Sequence, residues 1–400
     1  MKRTTLVCFA LAALMGVMAM LPACAAPAAP AAPTTPAAST PAKTTPAAAT
    51  PAVTTPAKPA MRTVVDMAQR SVSIPVKPLR VATMQGPTYE MVFAMGGKNQ
   101  IGLVRDDHKT AYPLATLTNP DLKNVQDIKN VGPQTPVNIE EFIKFNPDLV
   151  IYWNLPQEIK KFETAGIPSV IINWSNTEPK TIAEANSDQI LKLKTLADIL
   201  GGNSPSIYQT WAKYFTEKNA FIQSRTSTLS DAQKPTVYWG NSWGINILAT
   251  WGASSTNNYT VDMCGGIFKG VKGPGQYPEV TREQLLGWAP QVIIVDNHGR
   301  DPEIVIEKLK TSPEYASLPA VKNNRIYRIP AGVFFMDKGT SSPVYNLWLA
   351  KQLHPDLFKD VDLVKETKYY FTTFYSYNLT DAEAQKVLDG WVLQQAYQTK

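Results

Sequence analysis

Apolar residues in this chain fall into short runs, and between the runs they recur at helical spacing. Residues 80–83, 101–104, 149–153 and 170–172 read as strands in the first half, and 236–239, 292–295 and 325–329 in the second. Short aliphatic runs bounded by turn residues mark strands covered on both faces. Residues 88–95 read as a helix stopped by Gly96 and Gly97, and residues 182–200 as an amphipathic helix stopped by Gly201 and Gly202. Ser204 and Pro205 then supply an N-cap and a first-turn proline. From there to about residue 229, Tyr208, Trp211, Ala212, Phe215 and Ile222 share one helical face, and a further helical region follows Ser341. This alternation predicts an α/β fold class with parallel sheets in two lobes. No Gly/Ser linker separates the lobes, so the connection is expected to be one long rigid α-helix that resists hinge motion.

One pattern occurs twice. Asn138, Glu140, Glu141, Phe142 and Ile143 lead to Pro147, Asp148 and the run Leu149, Val150, Ile151. Thr281, Arg282, Glu283, Gln284, Leu285 and Leu286 lead to Pro290, Gln291 and the run Val292, Ile293, Ile294. In both, a Glu opens a short helix, a Pro ends it seven residues later, and a buried strand follows. The repeat predicts two similar lobes with a ligand cleft between them. Each lobe presents one matched surface carboxylate, which implies a partner with two basic sockets.

The ends of the chain are of another kind. Lys2 and Arg3 precede an apolar stretch over residues 6–20 that is short for a membrane span, and Leu21, Pro22, Ala23 and Cys24 follow. This reads as a lipoprotein signal over residues 1–24 with Cys24 as the lipidated residue; an ordinary secretory signal cut near Ala25 or Ala26 is the other reading. Either way the protein is expected to be exported, facing periplasm or exterior. Residues 25–60 are almost all Ala, Pro and Thr, a composition that builds no core and forms a semi-rigid tether. In polyproline geometry at about 3.1 Å per residue, it spans on the order of 100 Å. The expected globular parts are an α/β lobe over 61–178, a helical region over 179–230 and a second α/β lobe over 231–400. The net charge of +6 carries no polybasic run, so nucleic acid is not an expected partner, and a monomer is expected. Cys264 is the only cysteine beyond the leader, which leaves no internal disulfide.

These strings together resemble the solute-binding proteins of ABC importers for iron–siderophores, haem and vitamin B12. The resemblance is carried by the first Glu motif, then Gly166, Ile167 and Pro168, and in the second half by Cys264, Gly265 and Gly266 before Val280 and the second Glu motif. The stretch from Leu318 through Pro319 and Arg325 to Tyr327 completes it, and the similarity runs over residues 63–390. The family implies two Rossmann-like lobes joined by one long helix, with cargo held between them. It also implies an ABC permease and its ATPase as partners, with Glu140 and Glu283 docking onto permease arginines. Surface carboxylates far apart on one face give steering and register.

In such a fold, cargo contacts come from loops that follow strands. The candidates are Met84, Gln85, Tyr89 and Trp153 in the first lobe. In the second they are Trp239, Asn241, Trp243, Tyr277, Phe334, Phe335, Met336 and Lys338. The resemblance places Trp153 and Tyr277 where B12-binding members often carry aromatics; core packing is the alternative for each aromatic. The enrichment fits a flat metal chelate as cargo, whether corrinoid, porphyrin or aryl siderophore, with no resident cofactor. A bare metal ion fits less well, because the chain has only three His: His108, His298 and His354. One of these, or Met336 or Tyr89, is a possible axial ligand to haem iron, while a solvated surface position is the expectation for each His. Arg105, Arg300 and Lys338 are a thin cationic set for an anionic siderophore.

No enzyme is expected. The chain has no Gly-rich phosphate loop, no Gly-x-Ser-x-Gly elbow and no paired-acid or His–Cys constellation, and it lacks the cluster-binding cysteines of nitrogenase-type subunits. A surface receptor or adhesion lipoprotein retaining the fold is the alternative, and the matched glutamates argue for transport.

Overall fold

The computed structural model describes residues 60–393, apart from 130–131, 133–134, 174–177, 241–246, 253–254, 272–277, 297–301 and 338. The leader, the tether and Cys24 lie outside the described residues, as do Asn241, Trp243, Tyr277, His298, Arg300 and Lys338.

The described chain opens with a hairpin that the pattern does not announce, β1 (Met61–Val65) antiparallel to β2 (Ser71–Pro75). Its turn is organised by Asp66, which accepts the Ala68 and Arg70 amides and pairs with the Arg70 guanidinium at 2.6 Å. The same carboxylate accepts the Ile171 amide at 3.0 Å and so ties the hairpin to the first lobe.

Two parallel sheets follow. The first comprises β3 (Val81–Thr83), β4 (Ile101–Arg105), β5 (Gln126–Ile128), β6 (Leu149–Ile151) and β7 (Ser169–Val170) in the order β5-β4-β3-β6-β7. The second comprises β8 (Thr236–Gly240), β9 (Ile267–Lys269), β10 (Val292–Val295) and β11 (Ile326–Arg328) in the order β11-β10-β8-β9. In each, the first strand lies inside the sheet, the next pairs on one side, and the chain then crosses to the other side. Each sheet therefore has a topological switch point, between β3 and β6 and between β8 and β10, where ligands sit beyond the carboxyl ends of strands.

Alternate strand residues separate the cores. Val81, Leu149, Ile151, Val237, Trp239, Val292 and Ile294 face one continuous core common to both lobes. Ala82 and Val150 face a second core with Phe142 and Phe162, while Tyr238, Ile293 and Val295 face a third with Leu285 and Leu309.

The common core is filled by the inter-lobe helices. Helix Ser204–Thr226 links the lobes as expected, but Asn203 holds the cap position, so Ser204 is the first helical residue and Pro205 the second. Helix Ile182–Leu200 runs beside it in the opposite sense, the two being joined through Gly201 and Gly202 at positive φ. Both reach both lobes. The Leu200 carbonyl accepts from Gln100 at 3.1 Å near the first sheet, and the Thr226 hydroxyl donates to the Met263 carbonyl at 2.8 Å near the second.

After β11 the chain returns to the first lobe. Helix Ser342–Leu353 packs on Ser204–Thr226, and helix Leu363–Tyr375 packs on the widened turn Phe93–Gly97, with Tyr375 stacked on Phe93 at 4.6 Å. The Leu393 amide finally bonds the Ala111 carbonyl at 2.8 Å. Among the described residues no helix is long and apolar enough to cross a membrane.

The repeated pattern folds as a repeated structure. Helices Ile139–Phe145 and Arg282–Trp288 each bury one anchor completely, Phe142 and Leu285. Each ends in a left-handed residue, Asn146 and Ala289, before its proline. Asp148 and Gln291 then hold the first strand of their lobes: Asp148 accepts the Leu79 and Arg80 amides at 2.7 and 2.9 Å, and Gln291 accepts the Thr236 amide at 3.0 Å.

Candidate functional site

The switch points locate the site. In the first lobe, Arg105 ends β4 and Trp153 follows β6, so strands on either side of β3 bring both to one edge. The Arg105 guanidinium lies 5.9 Å from the Trp153 ring centroid and pairs with Asp107, which orients it. Trp153 stands edge-on to Tyr152 at 5.0 Å and keeps a partly open face. Close by in sequence, Gln85 and Tyr152 bury polar oxygens (Oε1 and the hydroxyl) that find no hydrogen-bond partner among the described residues. In the second lobe the corresponding strand exits are residues 241–246 and 297–301, outside the described set.

The other described candidates are packed inside the protein. Met84 belongs to the outer core of the first lobe, and Trp239 lies in the common core against Tyr345 at 5.7 Å. Tyr89 accepts from the Asn119 amide at 3.3 Å, and burial pushes its hydroxyl pKa up. Phe334, Phe335 and Met336 are buried where the loop after β11 meets the first lobe. The Phe334 ring sits 5.2 Å from Tyr112 and lies so close to Gly86 that a Cβ there would come within 2.6 Å of it. Of the described aromatic candidates, Trp153 is the one that keeps an exposed face.

His108 corrects the expectation of solvated histidines. It is fully buried, 4.8 Å from the Tyr89 ring and 5.9 Å from Phe334, and neither ring nitrogen has a hydrogen-bond partner among the described residues. Burial lowers its pKa to about 4, against a smaller upward pull from Asp107, so the ring is neutral at pH 7. His354 is half-buried with Nε2 2.9 Å from the Gly265 carbonyl. Cys264 is a buried free thiol near the Asn346 carbonyl. Among the described residues no group of three or more His, Cys, Asp or Glu is arranged to hold a metal.

Glu140 and Glu283 are both exposed on their matched helices, but they are not equivalent. Glu140 has Glu141 beside it, Ile143 exposed one turn on and Lys144 beyond, and it makes no hydrogen bond or ion pair among the described residues. Glu283 lies 3.5 Å from Arg282, which is itself held by Glu314 at 2.8 Å. Its own backbone amide, then the Thr281 hydroxyl and Arg282, hold the Glu283 carboxyl below the usual range.

A profile of the periplasmic binding protein family matches residues 81–333, from β3 to the loop after β11. The chain belongs to that family. As a periplasmic binding protein it is an exported solute-binding protein and not an enzyme. The molybdate-binding protein MolA of Haemophilus influenzae is 25% identical over 330 residues, 79% of this chain and 91% of that protein. The vitamin B12-binding protein of Vibrio vulnificus is 27% identical over 274 residues, 65% of this chain and 85% of that protein. A periplasmic solute binding protein from Veillonella parvula superposes with a TM-score of 0.65 at 26% identity, over 82% of this chain and 97% of its own. The molybdate-bound MolA structure has the same fold, with a TM-score of 0.68 at 21% identity over 80% and 99% of the two chains.

The burial of two ionisable groups of this periplasmic binding protein is not legible in its sequence. Glu90, a fully buried carboxylate, was signalled only by a charge standing inside the apolar stretch from Tyr89 to Met95. His108 was masked by its charged neighbours Asp106, Asp107 and Lys109.

Proposed function

We propose that this chain captures a metal chelate (a ferric siderophore, haem or a corrinoid) while lipid-anchored through Cys24, and delivers it to an ABC permease. The observation that carries the reading is the duplicated helix with an exposed glutamate in each lobe, Glu140 and Glu283, on a fold whose switch points leave a cleft edge lined by Arg105 and Trp153. An aromatic face beside a cation suits a flat ligand with anionic substituents, and vitamin B12-binding relatives support the corrinoid arm. Lys338, Trp243 and Tyr277 remain proposed contacts from the second lobe. MolA supports a second reading, an oxyanion such as molybdate held by Arg105.

Cargo is tested by tryptophan quenching of the purified protein with cobalamin, haem, ferric siderophores and molybdate. A chelate is expected to bind with a Kd below about 10 μM, the range a scavenging importer needs. Tight molybdate binding with no chelate response would replace the chelate by the oxyanion. The anchor is tested by metabolic labelling with palmitate, which Cys24→Ala is expected to abolish; undiminished label would remove it from the reading.

For docking, Glu140→Ala together with Glu283→Ala is expected to abolish uptake with cargo affinity unchanged. The single variants should differ. Glu140 has no ion-pair partner among the described residues, whereas Glu283 must exchange Arg282, so Glu140→Ala is expected to cost about tenfold in uptake and Glu283→Ala about two- to threefold. Uptake untouched by the double variant would sink the docking role.

A further inference from the structure

Glu90 is enclosed on all sides in the first-lobe helix Thr88–Val92. Its Oε1 accepts from the Thr340 hydroxyl at 2.6 Å, the Ser341 amide at 3.0 Å and the Tyr370 hydroxyl at 3.0 Å. Its Oε2 accepts from the Thr340 amide at 3.2 Å. All of these donors lie beyond β11, in the part of the chain that returns from the second lobe. Thr340 and Ser341 connect the loop carrying Phe334 to helix Ser342–Leu353, and Tyr370 sits on helix Leu363–Tyr375. Both inter-lobe helices grip the same segment. The Trp211 indole donates to the Thr340 carbonyl at 2.7 Å, and the Gln189 amide donates to the Gly339 carbonyl at 3.1 Å.

A leucine at position 90 would fill this space without the desolvation cost of a carboxylate. What an acid adds is direction. The apolar packing of the common core is non-directional and tolerates small slides of one lobe on the other. Four hydrogen bonds to two oxygen atoms do not, because each has its own distance and angle. The first-lobe helix and the returning chain meet at this carboxylate, and both inter-lobe helices hold the Gly339–Thr340 segment that donates to it.

We propose that Glu90 is a positioning residue that sets the spacing of the two lobes, and with it the separation of the helices bearing Glu140 and Glu283. Its importance for transport rests on the solute-binding reading above, but the spacing exists without cargo or permease and is measured without them.

The test uses the full chain with nitroxide labels on Glu140→Cys and Glu283→Cys, with Cys8→Ser and Cys24→Ser; Cys264 is buried and escapes labelling. Pulsed electron paramagnetic resonance then gives the distribution of distances between the docking helices. With Glu90 present a narrow distribution is expected. In Glu90→Leu, with circular dichroism showing an intact fold, the width is expected roughly to double as lobe positions of similar energy become populated. If Glu90→Leu does not fold, Tyr370→Phe with Thr340→Val removes two donors at nearly constant shape and is expected to broaden the distribution too. A role confined to stability would lower the melting point and leave the width alone. An unchanged width in whichever of these variants fold overturns the proposal. Failure of the docking variants to affect uptake would overturn the docking reading and leave this result standing.

Discussion

Lowering the pH from 7.5 to 4 is expected to remove about 3 kcal/mol of stability through His108 alone. The folded pKa of about 4 lies below the ordinary histidine value of 6.5. Between those values the unfolded chain binds a proton that the folded chain refuses. Stability from this residue is therefore complete above pH 6.5 and falls as the pH drops toward 4. The cause is an imidazole enclosed by Tyr89, Tyr112 and Phe334, with the ion-paired Asp107 and Arg105 nearby pulling in opposite directions. Glu90 works the other way. Burial raises its pKa, so its folded carboxyl keeps a proton to higher pH and gives up stability as the pH rises. Urea titrations of wild type and His108→Phe across this range separate the two, since Glu90 contributes equally to both. The difference in stability should shift by about 3 kcal/mol in favour of the variant at low pH. Parallel curves would show that the protonated ring finds a partner.

Gly339→Ala is expected to cost at least about 3 kcal/mol. The glycine lies against the Glu90 carboxylate, and a Cβ there would land inside it. The oxygen atoms cannot retreat without leaving the Thr340, Ser341 and Tyr370 donors, so the methyl displaces a network and not a single atom. The signature is coupling. In a Glu90→Ala background the methyl has room, and Gly339→Ala should then cost less than about 1 kcal/mol. Equal costs in the two backgrounds, measured by denaturant unfolding, would mean that the segment moves aside freely.

What was legible in the sequence follows from range. Strands such as β10 announce themselves because both faces are covered, so every residue is apolar. The hairpin at 61–75 does not, because half of its residues face solvent and Arg62, Thr63 and Ser73 blur the alternation. β9 is only half-buried throughout and gives a similarly faint signal. The matched helices bearing Glu140 and Glu283 were readable because their signal is local: a cap, an acid, one buried anchor and a proline. The positions of Phe334 and Phe335 were not, since they depend on contacts with Tyr112, more than 200 positions away. Sequence identifies an aromatic residue after a strand but does not say whether the returning chain will cover it. His108 shows the same limit at short range, where one turn of the helix Asp107–Thr110 directs two polar residues, Asp107 and His108, inward.

The returning chain also governs when this protein can fold. The first lobe leaves the ribosome early, yet its apolar surface around Phe93 and Ala111 is closed by Tyr375 and Leu393 near the far end. Contacts of such sequence separation form slowly, because the loop between the partners must first close. Until the last helices are made, the first half is an unfinished domain. The docking of those helices is the step that commits the whole molecule to its native form.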